Sequence, residues 1–254
     1  MSLVEVSPRG WPGNVRLFYT TRIGGHSKPP FDESNVGFHV GDDAGAVRAN
    51  RADLRAGLPA GTQIAWLEQV HGTEIVPAVD SLQAPCRADA SWTGEDRVAC
   101  AVMVADCLPV LLTDRSGSVI AAVHAGWRGL AAGVLESAVS ALDVVPRELC
   151  AWLGPAIGRN AFEVGAEVRS AFLQGNELQG DEGGSVAACF RASPIRPGHY
   201  LADLNGLAML RLRGIGLNTI ESLDLCTFGD PHRFFSYRRD GTTGRMACLI
   251  VRDN

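Results

Sequence analysis

The chain has 254 residues, enough for one large domain or two small ones with a substantial core. Its formal charge is −5, with 23 basic and 28 acidic residues scattered along it, so it carries no basic footprint for nucleic acid or an anionic membrane. Small molecules are the expected partners, with no nucleic acid and no membrane.

In chain order, VRLFYTT (residues 15–21) has strand character and runs into the Gly-rich turn RIGGHS. Asp42 or Asp43 in NVGFHVGDD is placed to cap a helix over 44–56, closed by Gly57 with Pro59 beyond. QIAWLEQV and TEIVPAV suggest two strands around the turn at His71 and Gly72. VACAVMVADC, PVLLTD and SVIAAVHAG read as buried strands, with a break from Asp106 to Pro109 and a turn at DRSGS. GLAAGVLESAVSALDVV predicts one helix with Leu130, Val134, Leu135, Ala138, Val139 and Leu142 on its apolar side. LCAWLG is strand-like, a helix is predicted from Val164 to Phe172, and QGNELQGDEGGS is a polar loop. Asp203 caps a further predicted helix in ADLNGLAMLRLRG, and NTIESLDLCTF and RMACLIVRD supply late strands. Strands and helices alternate without a strict βαβ rhythm and no linker divides the chain, which predicts one mixed α/β domain over residues 1–254.

No apolar run reaches the roughly 20 residues that a bilayer span needs. The opening MSLVEVSPRGWPG lacks the basic and apolar regions of a signal peptide, so the expected location is cytoplasmic. The seven cysteines are odd in number, form no C-x-x-C pair and sit mostly in apolar segments, which predicts reduced, packed thiols for all but Cys107.

His71, Cys107 and His124 each fall where a strand-like run meets a Gly- or Pro-bearing turn. Two imidazoles and a thiolate suit zinc with a fourth position open. A Cys/His catalytic pair and ordinary core roles are the other readings, since the separations match no compact finger pattern. His and Cys donors also serve blue copper, but a multicopper oxidase needs further histidines in close pairs; six in the chain with no H-x-H disfavour copper. In HAGWRGLAAG, a helix starting near Arg128 would offer its N–H groups and a guanidinium to phosphate. Arg22, Arg238 and Arg239 are further loop cations, each equally readable as a surface residue. Asn35, His39 and Asp42 suit a ribose or base edge, or simply a turn and a helix cap. Asp89 and Asp106 are placed either to orient a ligand histidine or to cap a strand end. There is no G-x-x-x-x-G-K-[ST], no G-x-S-x-G, no complete G-x-G-x-x-G and no zinc-deaminase H-x-E with P-C-x-x-C, which argues against an ATPase, a lipase-type hydrolase and a Rossmann enzyme.

Taken together, TTRIGGHS, NVGFHVGDD, EQVHG, ADCLPVLLTD, HAGWRG, LGPAIG, FFSYRRDG and TGRMA resemble the YfiH family, in order and over nearly the whole chain. Members of that family have been called laccase-like polyphenol oxidase, purine nucleoside phosphorylase and peptidoglycan editing factor. The resemblance implies zinc on His71, Cys107 and His124, and a four-layer α/β/β/α sandwich similar to the catalytic domain of cytotoxic necrotizing factors. It implies phosphorolysis of adenosine, inosine, guanosine and methylthioadenosine, with deamination of adenosine. On that reading His71, Cys107 and His124 are catalytic, Arg128 with Arg22 or Arg238 holds phosphate, and Asn35 or His39 holds the nucleoside. The alternatives are an amidase trimming a misincorporated amino acid from a muramyl precursor through Cys107 and His124, a copper-dependent polyphenol oxidase, and a non-catalytic zinc-binding protein.

Overall fold

The computed structural model describes residues 2–174 and 185–253. Two sheets form its centre. The five-stranded sheet runs in the order Leu3–Val6, Val15–Thr20, Met246–Arg252, Val98–Val104 and Gln63–Ala65, antiparallel except for its last pair. The six-stranded sheet runs Thr219–Ser222, Leu149–Leu153, Leu108–Asp114, Ile120–Ala125, Ala90–Thr93 and Ile75–Pro77, with parallel pairs at both edges. The longest apolar runs occupy central positions because both of their faces are covered, so they show no alternation.

Leu17, Val102, Val104, Leu111, Ile120, Trp152 and Cys248 fill the space between the sheets. The outer face of the five-stranded sheet, with Phe18, Ala101 and Leu249, is covered by Leu54 and Leu58 from and beyond the helix Ala44–Ala56. The outer face of the six-stranded sheet packs on Leu130, Leu135, Val139, Leu207 and Leu212 from helices further along the chain. The expected α/β/β/α layering is therefore present in a mixed α+β fold.

Local chemistry explains most boundaries. Asp43 accepts the Ala46 N–H and Asp203 accepts the Gly206 N–H, each as a helix N-cap. The predicted single helix after residue 129 is instead two, Trp127–Ala132 and Val134–Ala141, because Gly133 adopts φ +100° between them. All six residues of the predicted apolar side are nevertheless buried. The predicted helix from Val164 starts late: Glu163–Gly165 is a strand of a small three-stranded sheet with His199–Ala202 and Phe190–Ala192, and the helix spans Ala166–Gln174. Most of the predicted QGNELQGDEGGS loop lies outside the described residues. QIAWLEQV and TEIVPAV do not form a hairpin, since Gln63–Ala65 joins one main sheet and Ile75–Pro77 the other. Among the described residues, no helix is long and apolar enough to cross a membrane.

Trp152 is 1% exposed and stacks on Tyr19 across the inter-sheet layer, with ring centroids 6.4 Å apart. Trp152→Ala should lower stability by ~3–5 kcal/mol through lost burial and a cavity, read as a reduced urea midpoint at constant m; a change below ~1 kcal/mol would show that the sheets do not depend on this contact.

Candidate metal centre and its cavity

Two turns and one strand end deliver the three predicted donors. Strand Val98–Val104 belongs to one main sheet and Leu108–Asp114 to the other, so the short turn at Asp106 and Cys107 crosses between layers. His124 sits near the end of Ile120–Ala125, and His71 follows the short strand Leu67–Glu68. Their donor atoms all lie within 4.8 Å of one another, and Cys107 Sγ is 3.8 Å from His71 Nε2. That separation is close to the ~3.6 Å edge between nitrogen and sulfur ligands on tetrahedral zinc.

Asp89, fully buried, organises both histidines. Its Oδ1 accepts hydrogen bonds from His124 Nδ1 at 2.8 Å and the His71 N–H at 2.9 Å. Its Oδ2 accepts from the N–H groups of Gly72 at 2.6 Å and Val70 at 3.2 Å. Three successive amides thus wrap one carboxylate, which holds His71 at φ +61° and leaves Nε2 of His124 for the cluster. Burial pushes the Asp89 carboxyl up, but these bonds, led by His124, outweigh it and hold the group below the usual range.

Burial likewise pushes the Cys107 thiol up, and the neighbouring His124 and His71 imidazoles more than reverse this, so the thiol ionises more readily than an ordinary cysteine. Burial lowers His124, while the Cys107 thiolate and Asp89 raise it to a net upward shift. The metal-free pair therefore favours thiolate and imidazolium, and the thiolate is the form a soft metal takes. His71, Cys107 and His124 could hold a metal ion, and the donor set fits one.

HAGWRG contributes space. A Cβ on Gly126 would lie 2.8 Å from His71 Cδ2 and 3.2 Å from Cys107 Sγ, and one on Gly129 would lie 2.7 Å from the Gly72 carbonyl oxygen. The backbone can pass this close to the donors only without a side chain.

The triad opens into a cavity of about 420 Å3 that is also lined by His39, Gln69, Met103, Ala105, Tyr237 and Arg245. His39, one of the expected nucleoside contacts, is among these lining residues. Asn35 is buried behind the wall, its Oδ1 accepting the Gly37 and Arg245 N–H groups and its Nδ2 donating to Asp42 and the Gly37 carbonyl. The other predicted contacts are not among the lining residues. Arg22 donates to the carbonyls of Asp32 and Pro231 and lies over Phe235. Arg128 is exposed over the Trp127 ring, at the start of a helix only six residues long. Arg238 donates from Nη1 to the Glu163 carbonyl, and Arg239 from its two Nη atoms to the carbonyls of Thr227, Phe228 and Phe234. Of the two candidate orienting acids, Asp89 holds His124 and Asp106 does not. The Asp106 carboxylate instead accepts from Thr227 Oγ1, Ser236 Oγ and the Arg238 N–H, which fixes the turn bearing Tyr237.

Sequence reasoning missed Gln69, Tyr237 and Arg245. Gln69 pairs by its amide with both the N–H and the carbonyl of Met103, an arrangement with no local sequence signal. Arg245 lies in TGRMA, a few residues beyond Arg238 and Arg239 in the same Gly-bearing stretch.

Asp89→Asn should weaken metal binding ~10–100-fold in a chelator competition, because the ligand histidine loses its charged partner; unchanged affinity would remove Asp89 from the metal site. Gly126→Ala should reduce metal content at a stability cost of only ~1–3 kcal/mol, seen by elemental analysis and melting. Full metal retention would show that the added methyl is absorbed elsewhere.

The family model described as multi-copper polyphenol oxidoreductase laccase matches residues 16–253. The chain is 48% identical over 251 residues to "Purine nucleoside phosphorylase YfiH" of Escherichia coli K12, covering 98% of this chain and 99% of that protein. It is 48% identical over 239 residues to "Purine nucleoside phosphorylase PA4543" of Pseudomonas aeruginosa, covering 94% of both. The crystal structure of Neisseria meningitidis protein NMB0706 superposes with a TM-score of 0.92 at 44% identity over the whole of both chains. That of YlmD from Geobacillus stearothermophilus superposes at 0.88 and 30% identity, over 100% of this chain and 97% of the other. Sequence, fold and similarity agree: the chain belongs to the YfiH family, whose model is described as multi-copper polyphenol oxidoreductase laccase.

Proposed function

We propose that this chain is a zinc-dependent purine nucleoside phosphorylase acting on adenosine, inosine, guanosine and methylthioadenosine, with adenosine deaminase activity. The observation that carries this reading is the convergence of His71, Cys107 and His124 on a cavity of about 420 Å3, a size suited to a small molecule. Curated relatives named purine nucleoside phosphorylase, 44–48% identical over nearly the full chain, support the same reading.

His71, Cys107 and His124 would hold the metal, which when bound supplies a Lewis acid and lowers the pKa of water. Asp89 fixes the His124 ring and shapes the loop carrying His71. His39, Gln69 and Tyr237 line the space for the nucleoside, with the exposed Tyr237 offering an aromatic face to the base. A multicopper mechanism is disfavoured by the histidine count, since one His2Cys cluster accounts for the metal-binding groups found among the described residues.

One further observation favours a second reading. A readily ionised Cys107 beside His124, itself held by Asp89, has the order of groups used by a thiol amidase acting on a muramyl precursor. A thiolate bound to metal is a poor nucleophile, so that activity would belong to the metal-free protein.

Purified protein of known metal content should convert inosine and phosphate to hypoxanthine and ribose 1-phosphate, and leave a muramyl amide intact. Release of an amino acid by metal-free protein, with no base at any metal content, would favour the amidase instead. Cys107→Ala and His124→Ala should each lower zinc content and turnover by more than ~100-fold, beyond the loss expected for a residue behind a ligand; zinc retained by both would overturn the triad.

A further inference from the structure

Among the described residues, Arg245 is the only Arg or Lys lining the cavity, and no Asp or Glu lines it. Its position is built rather than incidental. The Asn35 side chain accepts its backbone N–H at 2.8 Å, and its Nη1 donates to the carbonyls of Thr243 and Gly244, both at 3.0 Å. Gly37 makes room for its stem, since a Cβ there would lie 2.9 Å from Arg245 Cγ.

Those bonds use both hydrogens of Nη1 and leave Nε–H and Nη2, the edge of the guanidinium that matches two oxygens of a phosphate. No carboxylate among the described residues lies within ion-pair distance of it. Nearby acids are already used: Asp106 accepts three hydrogen bonds, Asp89 four, and Asp42 those of Asn35 and the Asp43 N–H. Arg239, by contrast, places Nε and Nη2 on the Asp240 carboxylate.

The local charge adds to the imbalance. Arg51 donates from Nε to the Val36 carbonyl, with its guanidinium over the rings of both Trp66 and Phe38, and no carboxylate among the described residues pairs with it either. Val36 in turn donates its N–H to the Arg245 carbonyl, so both arginines hang on one short segment. Burial lowers the pKa of Arg245, an effect that Cys107, Asp106 and Tyr237 offset only in part, and takes that of Arg51 to about 10. Cys107 is the first anion beside Arg245, and a metal on that sulfur would draw its charge away.

We infer that Arg245 is the anion seat of the cavity and binds the attacking phosphate through its Nε and Nη2 edge. The inference rests on the phosphorylase reading and replaces Arg128, Arg22 and Arg238 as the phosphate contact. In the reaction, an oxygen of hydrogen phosphate forms the bond to C1′ as the C1′–N9 bond breaks. The N9 electron pair stays with the purine, which ends with the proton that phosphate loses, giving ribose 1-phosphate and free base. Arg245 binds and orients the dianion and takes no proton itself.

The test uses metal-loaded, full-length protein, with inorganic phosphate as the probe in calorimetry and as the varied substrate with inosine. Arg245→Gln and Arg245→Lys should each raise the phosphate Kd and KM at least ~10-fold, the loss of a bidentate charged contact, and leave the inosine KM within about twofold. Phosphate should also protect Arg245 of the wild-type protein from phenylglyoxal, read by peptide mass mapping, so the result does not depend on the variants folding. Unchanged phosphate Kd in folded variants, or no protection in the wild type, overturns the seat. Ribose 1-phosphate formed with a phosphate KM unmoved in both variants leaves the phosphorylase reading standing and the seat refuted. Phosphate binding lost in both variants, with no ribose 1-phosphate from the wild type, supports the seat and removes the phosphorylase reading.

Discussion

One buried carboxylate sets the geometry on which the rest of this site depends. Asp89 is inaccessible to water, and four donors from two separate segments compensate its charge. Isolated burial of a carboxylate costs many kcal/mol, so the ion persists only while those donors stay in place. The reverse holds as well. The loop from Val70 to Gly72 has no long strand to hold it, and without Asp89 three successive amides would lose their acceptor. Electrostatics and loop conformation are therefore one constraint, and both histidines inherit their positions from it.

Cys107 is placed by a different device. The turn that carries it passes from one main sheet to the other, and Asp106 within it adopts φ +92°. That unusual backbone is held from both directions: the Asp106 carbonyl accepts the Ile157 N–H, and the carboxylate gathers donors from residues 227–238. The same hydrogen bonds fix two residues of the cavity wall, Cys107 and the exposed Tyr237. A small thiolate cavity with a rigid wall follows from the requirement that a sheet-to-sheet crossover satisfy its own polar groups.

Much of the fold was legible because it follows local rules. Apolar runs without alternation marked central strands, and Asp43 and Asp203 marked helix starts. The partition of strands between two sheets was not legible, since Val98–Val104 and Leu108–Asp114 are neighbours in sequence with similar apolar content and yet lie in different layers. Gly133 is one glycine among several in its segment, and only its left-handed backbone shows that it divides a helix. At the site, turn contexts grouped His71, Cys107 and His124 as candidate zinc ligands beside other readings, and the family resemblance favoured zinc among them. Arg245 stayed hidden because what separates it from Arg22, Arg128 and Arg238 is its place in the cavity wall, a property of three-dimensional neighbours rather than of residue type.

The convergence of donors at positions 71, 107 and 124 bears on how the molecule would acquire a metal. These residues belong to segments that meet only when the two sheets have docked and the 70–72 loop has closed on Asp89. Loop closure over such separations is an entropic debt met late, so an ion cannot act as an early template for the chain. It would select the finished native state and stabilise that state more as its free concentration rises above its dissociation constant. Metal supply would then govern how long each molecule lasts after folding rather than whether it folds.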